Sequence, residues 1–587
     1  MPITVSEQAL LDSIDVATMW RHLEYLCTLD RTSGSPGERE AAGYLLAELQ
    51  RYGCEVRRHE FDAYLSYPVS GCLLVPGVAP GEFAAKTRAF SASTPPGGAT
   101  GEIIYVPGSS DMFTDTQTVE RLRRLDLRGK IVLSEGGGRE NMVTARRLGA
   151  AAYIHMWPSD EPVIHEGIVT PIWGTPGPGA VETLPRIPVI SIQRGDGLRL
   201  REAAAAGPVV ATVHAETKTG WQRLVMPEAI IQGSQSENFV LVAGHLDSWH
   251  LGATDNATGN VACLELARVL QARRDELRRG VRIAWWPGHS TGRYAGSTWY
   301  CDRFWQELHD HCITYINIDS PGCLGAYDYS LVTAVAENAA FAQDIVREIT
   351  GVTPAIERPV RAGDQSFWGP GTSSLFMLLS NRPPGQRAAV GGSGLGWWWH
   401  TEEDTIDKCE APVLAADTRI YALATWRLCT AELLPLHMAP LAREMRSRLA
   451  ELSAGADGAS RGRPSPGDLL GDVVREAAQL LAVAERFDAG AAAVEGGAAP
   501  DVSDAFNRAA LAAIRWLTPV NYSPAPPHEH GPASPTAVIP LLDAAAALGA
   551  MDPAAEEYGF HVADVMRRAN AVRQALVQAR RALEGRI

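Results

Sequence analysis

The sequence predicts an α/β fold: a mixed, mostly parallel sheet in a three-layer core, a β-rich module inserted into it and a C-terminal helical domain. Three observations carry that expectation. After residue 216, short apolar runs at 239–243, 281–286, 315–318 and 374–379 alternate with helical patterns at 261–272 and 295–309. The runs are continuous rather than alternating, as in strands buried on both faces between helix layers. Between about 80 and 216 the texture is instead Gly/Pro-rich loops and short strands, and beyond 431 it is helical periodicity broken by linkers.

In chain order, 17–51 has helical spacing interrupted by the turn cluster Thr32-Ser33-Gly34-Ser35-Pro36-Gly37, which opens a second helix near Glu38. The insertion carries expected strands at 102–106, 130–133, 151–155 and 189–192, with one helix at 142–148. The tail is cut by linkers at 455–467 and 490–500. Its last helix places Val562, Val565, Met566, Ala569, Val572, Leu576, Ala579 and Leu583 on one stripe, read as intramolecular core or a dimer seam. The expected boundaries are 1–85 and 217–430 for the two parts of the core, 86–216 for the insertion and 431–587 for the tail.

The 587 residues suffice for several domains, and 46% apolar with 21% charged residues is a globular composition. A net charge of −15 excludes a nucleic-acid partner on electrostatic grounds, since phosphate binding needs a basic face. The first residues show no basic region followed by an apolar run, and no stretch is long enough to span a bilayer. The nine cysteines are scattered without a CxxC pair and read as reduced, mostly buried thiols. A soluble, cytoplasmic protein with no membrane partner is expected.

Five positions lie at or just past the ends of expected strands, where side chains converge on one crevice. His245 and Asp247 follow the 239–243 run, Asp255 sits in the turn Gly252-Ala253-Thr254-Asp255-Asn256, Asp319 ends 315–318, and His400 follows Trp397-Trp398-Trp399. Imidazole and carboxylate are ligands for a divalent cation, and an acid two residues from a histidine can hold its other ring nitrogen.

The order HxD, GAxDNxxG, a strand ending in Asp, then HTxxDT resembles the M28 aminopeptidase family. The opening Arg31-Thr32-Ser33-Gly34-Ser35-Pro36-Gly37 and the tail segment Asn521-Tyr522-Ser523-Pro524-Ala525-Pro526-Pro527-His528 resemble its glutamate carboxypeptidase II and transferrin receptor branch. Within the insertion, the phrases at 128–133, 147–151 and 187–192 resemble a protease-associated (PA) domain. The resemblance implies that His245, Asp255 and Asp319 hold one metal, that Asp255 bridges to a second on His400, and that Asp247 orients His245. It implies a divalent metal, zinc foremost, as one or two ions, and a homodimer formed by the tail.

The family's Gly-Glu-Glu loop is here Gly288-His289-Ser290, so both carboxylates are replaced. Three readings stay open. His289 serves as the proton-transfer group, since imidazole titrates near neutrality; or His289 joins His400 as a metal ligand; or the site is a silent dimeric scaffold. The expected function is a metal-dependent hydrolase acting on an amide-type bond of a small molecule or short peptide, with His289 and Asp247 catalytic. A metal-dependent lyase on a small acid is the alternative enzyme. Ser290, Arg293, Arg361, Trp398, Trp399, His528 and His530 are the expected substrate contacts.

Overall fold

A computed structural model describes residues 3–109, 116–454, 463–494, 500–532 and 537–586. Ten strands organise it: β1 (Glu55–Leu74), β2 (Ala99–Tyr105), β3 (Ile131–Ser134), β4 (Ala152–Met156), β5 (Val189–Ile192), β6 (Val210–Ile231), β7 (Phe239–His245), β8 (Gly280–Trp286), β9 (Cys312–Asn317) and β10 (Ser373–Leu375). They lie in one mixed sheet in the order β10-β9-β7-β8-β6-β2-β3-β4-β5. β7 to β10 run parallel, as do β2 to β5, while β6 is antiparallel to both β8 and β2.

The joint between the two parallel sets is a ribbon that sequence reading missed. β1 and β6 pair antiparallel from Glu55 opposite Ile230 to Leu74 opposite Thr212. β6 buries every residue from Leu224 to Ile231, yet its middle, from Glu216 to Arg223, is half-buried or exposed. That polar stretch hides the strand's continuity in the sequence. Residues 86–216 are also more helical than expected: Thr116–Arg123, Pro178–Val181 and Arg194–Ala206 join Arg139–Arg147.

β7 is buried along its whole length, as the apolar run required. The helix Thr258–Gln271 and the long helix Ala411–Thr430 cover the sheet, with Val242, Ile283, Leu266 and Leu423 in one core. The expected helix at 295–309 is two, Ala295–Arg303 and Trp305–His311, and the strand at 374–379 stops at Leu375.

The tail packs Met438–Ala454, Pro466–Val494, Pro500–Tyr522 and Glu556–Glu584 together. Val565, Ala569, Val572, Leu576, Ala579 and Leu583 are buried in this bundle, so most of the apolar stripe is intramolecular core; Met566 is exposed. Linker residues 455–462 and 495–499 lie outside the described residues, while 490–494 continue a helix. All nine cysteines are free, seven of them buried. Among the described residues no helix is long and apolar enough to cross a membrane.

Arg31 ties the opening helices to the strand ends. Fully buried, it donates to the carbonyls of Leu26 (2.7 Å), Leu246 (3.2 Å) and Gly252 (2.9 Å), while its own carbonyl accepts from Ser248 N–H (3.1 Å). Arg31→Ala removes three buried side-chain hydrogen bonds and should cost about 2–4 kcal/mol, measured by denaturant unfolding followed through tryptophan fluorescence. Unchanged stability would mean the carbonyls find other partners.

Candidate metal centre

His245 is the last residue of β7, and its Nδ1 lies 2.8 Å from the backbone carbonyl of Asp247. That bond commits Nδ1 as a donor, so Nε2 is the ring nitrogen that faces the crevice. Nε2 faces Asp255 Oδ1 at 2.8 Å and Asp319 Oδ1 at 3.7 Å. His400 repeats the arrangement: Nδ1 is 3.3 Å from the Glu166 carbonyl and Nε2 is 3.1 Å from Asp255 Oδ2. The Asp255 carboxylate therefore stands between two imidazole nitrogens, one on each oxygen.

Burial opposes ionisation of Asp255, but the bonds to His245 and His400 outweigh it and hold the carboxyl well below its usual range. Burial likewise works against a charged His245, and Asp255 with Asp319 outweigh it, drawing its pKa well above the usual value. Positive charge is thus favoured between these groups, and a divalent cation fits the imidazole and carboxylate donors. Beneath them, Asp404 accepts from Thr254 N–H (2.9 Å), Thr254 Oγ1 (2.7 Å) and Asp255 N–H (3.1 Å), fixing the turn that carries Asp255. Burial pushes the Asp404 carboxyl up to about 7, against those hydrogen bonds.

The carboxylate of Asp247 does not orient His245; it lies 3.9 Å from Nδ1, and the backbone carbonyl takes that place. It accepts instead from Ser33 Oγ (2.6 Å), His289 N–H (3.0 Å) and Ser290 N–H (2.8 Å), because the turn after β8 aims those N–H groups at it. Asp247 thereby fixes the His-Ser loop. The His289 ring stacks on His245 with centroids 3.9 Å apart and planes 12° off parallel. Ligand atoms of His245, His289 and Asp319 all lie within 4.8 Å of one another.

Sequence reading missed Asp364. Its Oδ2 is 2.6 Å from His289 Nδ1, and its Oδ1 accepts from Ser297 Oγ at 2.6 Å. It sits in a loop, Arg361-Ala362-Gly363-Asp364, with no strand end or spacing to mark it.

An open cleft contains Asp255, Asp319, His289, Ser290, Arg293, Trp399 and His400 in its wall. The other expected substrate contacts stand elsewhere. Trp398 is buried with Nε1 donating to Thr254 Oγ1 (3.1 Å), so it supports the Asp255 turn. Arg361 is buried behind the wall, over the Trp173 ring and donating to the Gly531 carbonyl (3.0 Å). His528 packs on Trp305, with ring centroids 4.4 Å apart, and His530 pairs with Asp302 at 2.8 Å; neither lines the cleft.

The geometry makes the Asp364 contact testable. In long-range ¹H–¹⁵N spectra of the histidine rings, His289 should carry its proton on Nδ1, and Asp364→Ala should shift the His289 and His245 signals while leaving His59 unmoved. Unshifted His289 signals would contradict the contact.

The metal-centre residues and His289 fall inside a stretch that matches a known family. The model of peptidase family M28 matches residues 228–425. The probable lipoprotein aminopeptidase LpqL of Mycobacterium tuberculosis is 27% identical over 323 residues, covering 53% of this chain and 60% of that protein. The probable glutamate carboxypeptidase VP8 of Zea mays is 25% identical over 346 residues, 49% and 48% of the two. The chain thus spans about half the length of these curated relatives. BSAP, a zinc aminopeptidase from Bacillus subtilis, superposes with a TM-score of 0.53 at 20% identity over 71% of this chain and 96% of that one, a likeness of fold. Residues 228–425, which supply His245, Asp255, His289, Asp319 and His400, are similar to peptidase family M28.

Proposed function

We propose that the protein is a metal-dependent hydrolase that cleaves an amide-type bond of a small molecule or short peptide, with His289 in place of a glutamate base. The observation that carries this reading is the Asp255 carboxylate, set between His245 Nε2 and His400 Nε2 while both Nδ1 atoms face carbonyls. His245, Asp255, Asp319 and His400 would hold the metal, zinc by preference for imidazole and carboxylate donors. When bound, a divalent ion there supplies Lewis acidity to the carbonyl and lowers the pKa of water.

The protein's own groups do the rest. Asp364 accepts the Nδ1 proton of His289, which leaves Nε2 free to take a proton from the attacking water. Water oxygen bonds to the amide carbon, the C–N bond breaks, and His289 returns the proton to the departing amine. Asp247 holds the loop in register for both transfers. Ser290 lines the cleft without supplying the charge of a carboxylate ligand.

A second reading rests on the close approach of His289 to His245 and Asp319, which would make His289 a metal ligand. One variant separates the two. With the zinc-loaded protein and a panel of aminoacyl and N-acyl amino-acid anilides, His289→Ala should lower kcat by about 10²–10⁴ with zinc content unchanged. Loss of zinc in that variant would assign it as a ligand, and no turnover by the zinc-loaded native protein on any amide would overturn the hydrolase reading.

A further inference from the structure

Away from the cleft, the tail loop that follows the helix Pro500–Tyr522 closes onto the core beside the helix Ala295–Arg303. The Trp305 indole donates to the Pro527 carbonyl at 3.1 Å, the His528 ring packs on Trp305, and Arg361 Nε donates to the Gly531 carbonyl at 3.0 Å. Among those contacts His530 Nε2 lies 2.8 Å from Asp302 Oδ1, and the Cys301 thiol is close to both: one ligand atom from each of the three residues falls within 4.8 Å of the others. Thiolate, imidazole and carboxylate are the side-chain donors that zinc takes, at about 2.0–2.3 Å. A tetrahedral ion sets such donors roughly 3.3–3.6 Å apart, so small side-chain adjustments suffice to close the three around it.

An ion pair alone accounts for Asp302 and His530, but not for Cys301 and Arg361. Cys301 is 1% exposed; burial first, and then the charge of Asp302, hold its thiol well above the usual range, so it keeps its proton unless a cation takes that place. Arg361 is 2% exposed and its Nη2 is buried without a hydrogen-bond partner. Burial draws its guanidinium down to about 10, and Cys301 heads the groups whose negative charge would support it. A divalent ion in place of the thiol proton leaves the sulfur as thiolate, puts positive charge between it and Asp302, and gives the buried guanidinium an anionic neighbour.

We infer that Cys301, Asp302 and His530 form a separate metal site, suited to zinc, that fastens the tail loop to the core. Three protein ligands leave the fourth position to solvent, on the side of the exposed Asp302. Binding exchanges the ion for one proton: the S–H bond breaks, a sulfur–metal bond forms, and the proton leaves to water. The helix so fastened also carries Ser297, which donates to Asp364 behind His289, so the site steadies the cleft from outside without touching substrate. The assignment is independent of the hydrolase reading.

Cobalt titration of the reduced, metal-stripped full-length protein, followed by absorption, tests the inference. His245, Asp255, His289, Asp319 and His400 offer no sulfur, so a thiolate-to-cobalt charge-transfer band in the near ultraviolet reports a cysteine and not the cleft. The native protein should develop that band, zinc should erase it by displacing the cobalt, and Cys301→Ser should lack it. His530→Ala should need at least about tenfold more cobalt to raise it. Absence of the band from the native protein, its survival in Cys301→Ser, or an unchanged cobalt dependence in His530→Ala overturns the site; a band that zinc does not displace overturns the choice of zinc. His530 is only partly buried, so its variant decides the outcome if Cys301→Ser fails to fold.

Discussion

One carboxylate held between two imidazoles is the constraint on which the site depends. Asp255 meets His245 Nε2 and His400 Nε2 through its two oxygens, and both histidines have committed Nδ1 to backbone carbonyls. Lone pairs then face lone pairs across less than 3.2 Å, a repulsive arrangement unless positive charge lies between them. The surrounding polypeptide is built to maintain it. Asp404 and Trp398 both bond Thr254 beside Asp255, and Arg31 clamps the carbonyls of Leu246 and Gly252 on either side. The sheet supplies the stage, because parallel β7 and β9 end together and bring His245 and Asp319 to the same edge.

Around that centre, two departures shape the chemistry. Where paired acids would crowd more negative charge into the crevice, His289 and Ser290 bring none, and the Asp247 carboxylate spends its oxygens on their backbone N–H groups. Negative charge is displaced outward to Asp364, behind the His289 ring. Arg88, Arg139 and Arg293 also line the cleft, each with a buried Nε that lacks a hydrogen-bond partner.

Much of this was legible in the sequence, for physical reasons that also explain the gaps. Continuous apolar runs located β7 and β8 nearly to the residue, because a strand buried on both faces leaves no room for polar side chains. His245, Asp255, Asp319 and His400 were visible because strand ends and tight turns mark themselves locally. The β1–β6 ribbon was not visible, since its exposed polar middle breaks the pattern that defines a strand. Asp364, Arg88 and Arg139 escaped notice because their proximity to His289 and Arg293 is purely tertiary: each lies in a segment whose local pattern records nothing of the cleft. His528 and His530 illustrate the converse, residues with an inviting local pattern that fold onto Trp305 and Asp302 instead.

The most direct measurement is calorimetric titration of the metal-stripped protein with zinc, carried out in parallel on Asp255→Asn. A cation seated against the shared carboxylate predicts tight binding by the native chain, weakened at least a hundredfold by the substitution. Failure of the native chain to take up zinc, manganese, iron or nickel at saturating concentrations would contradict it.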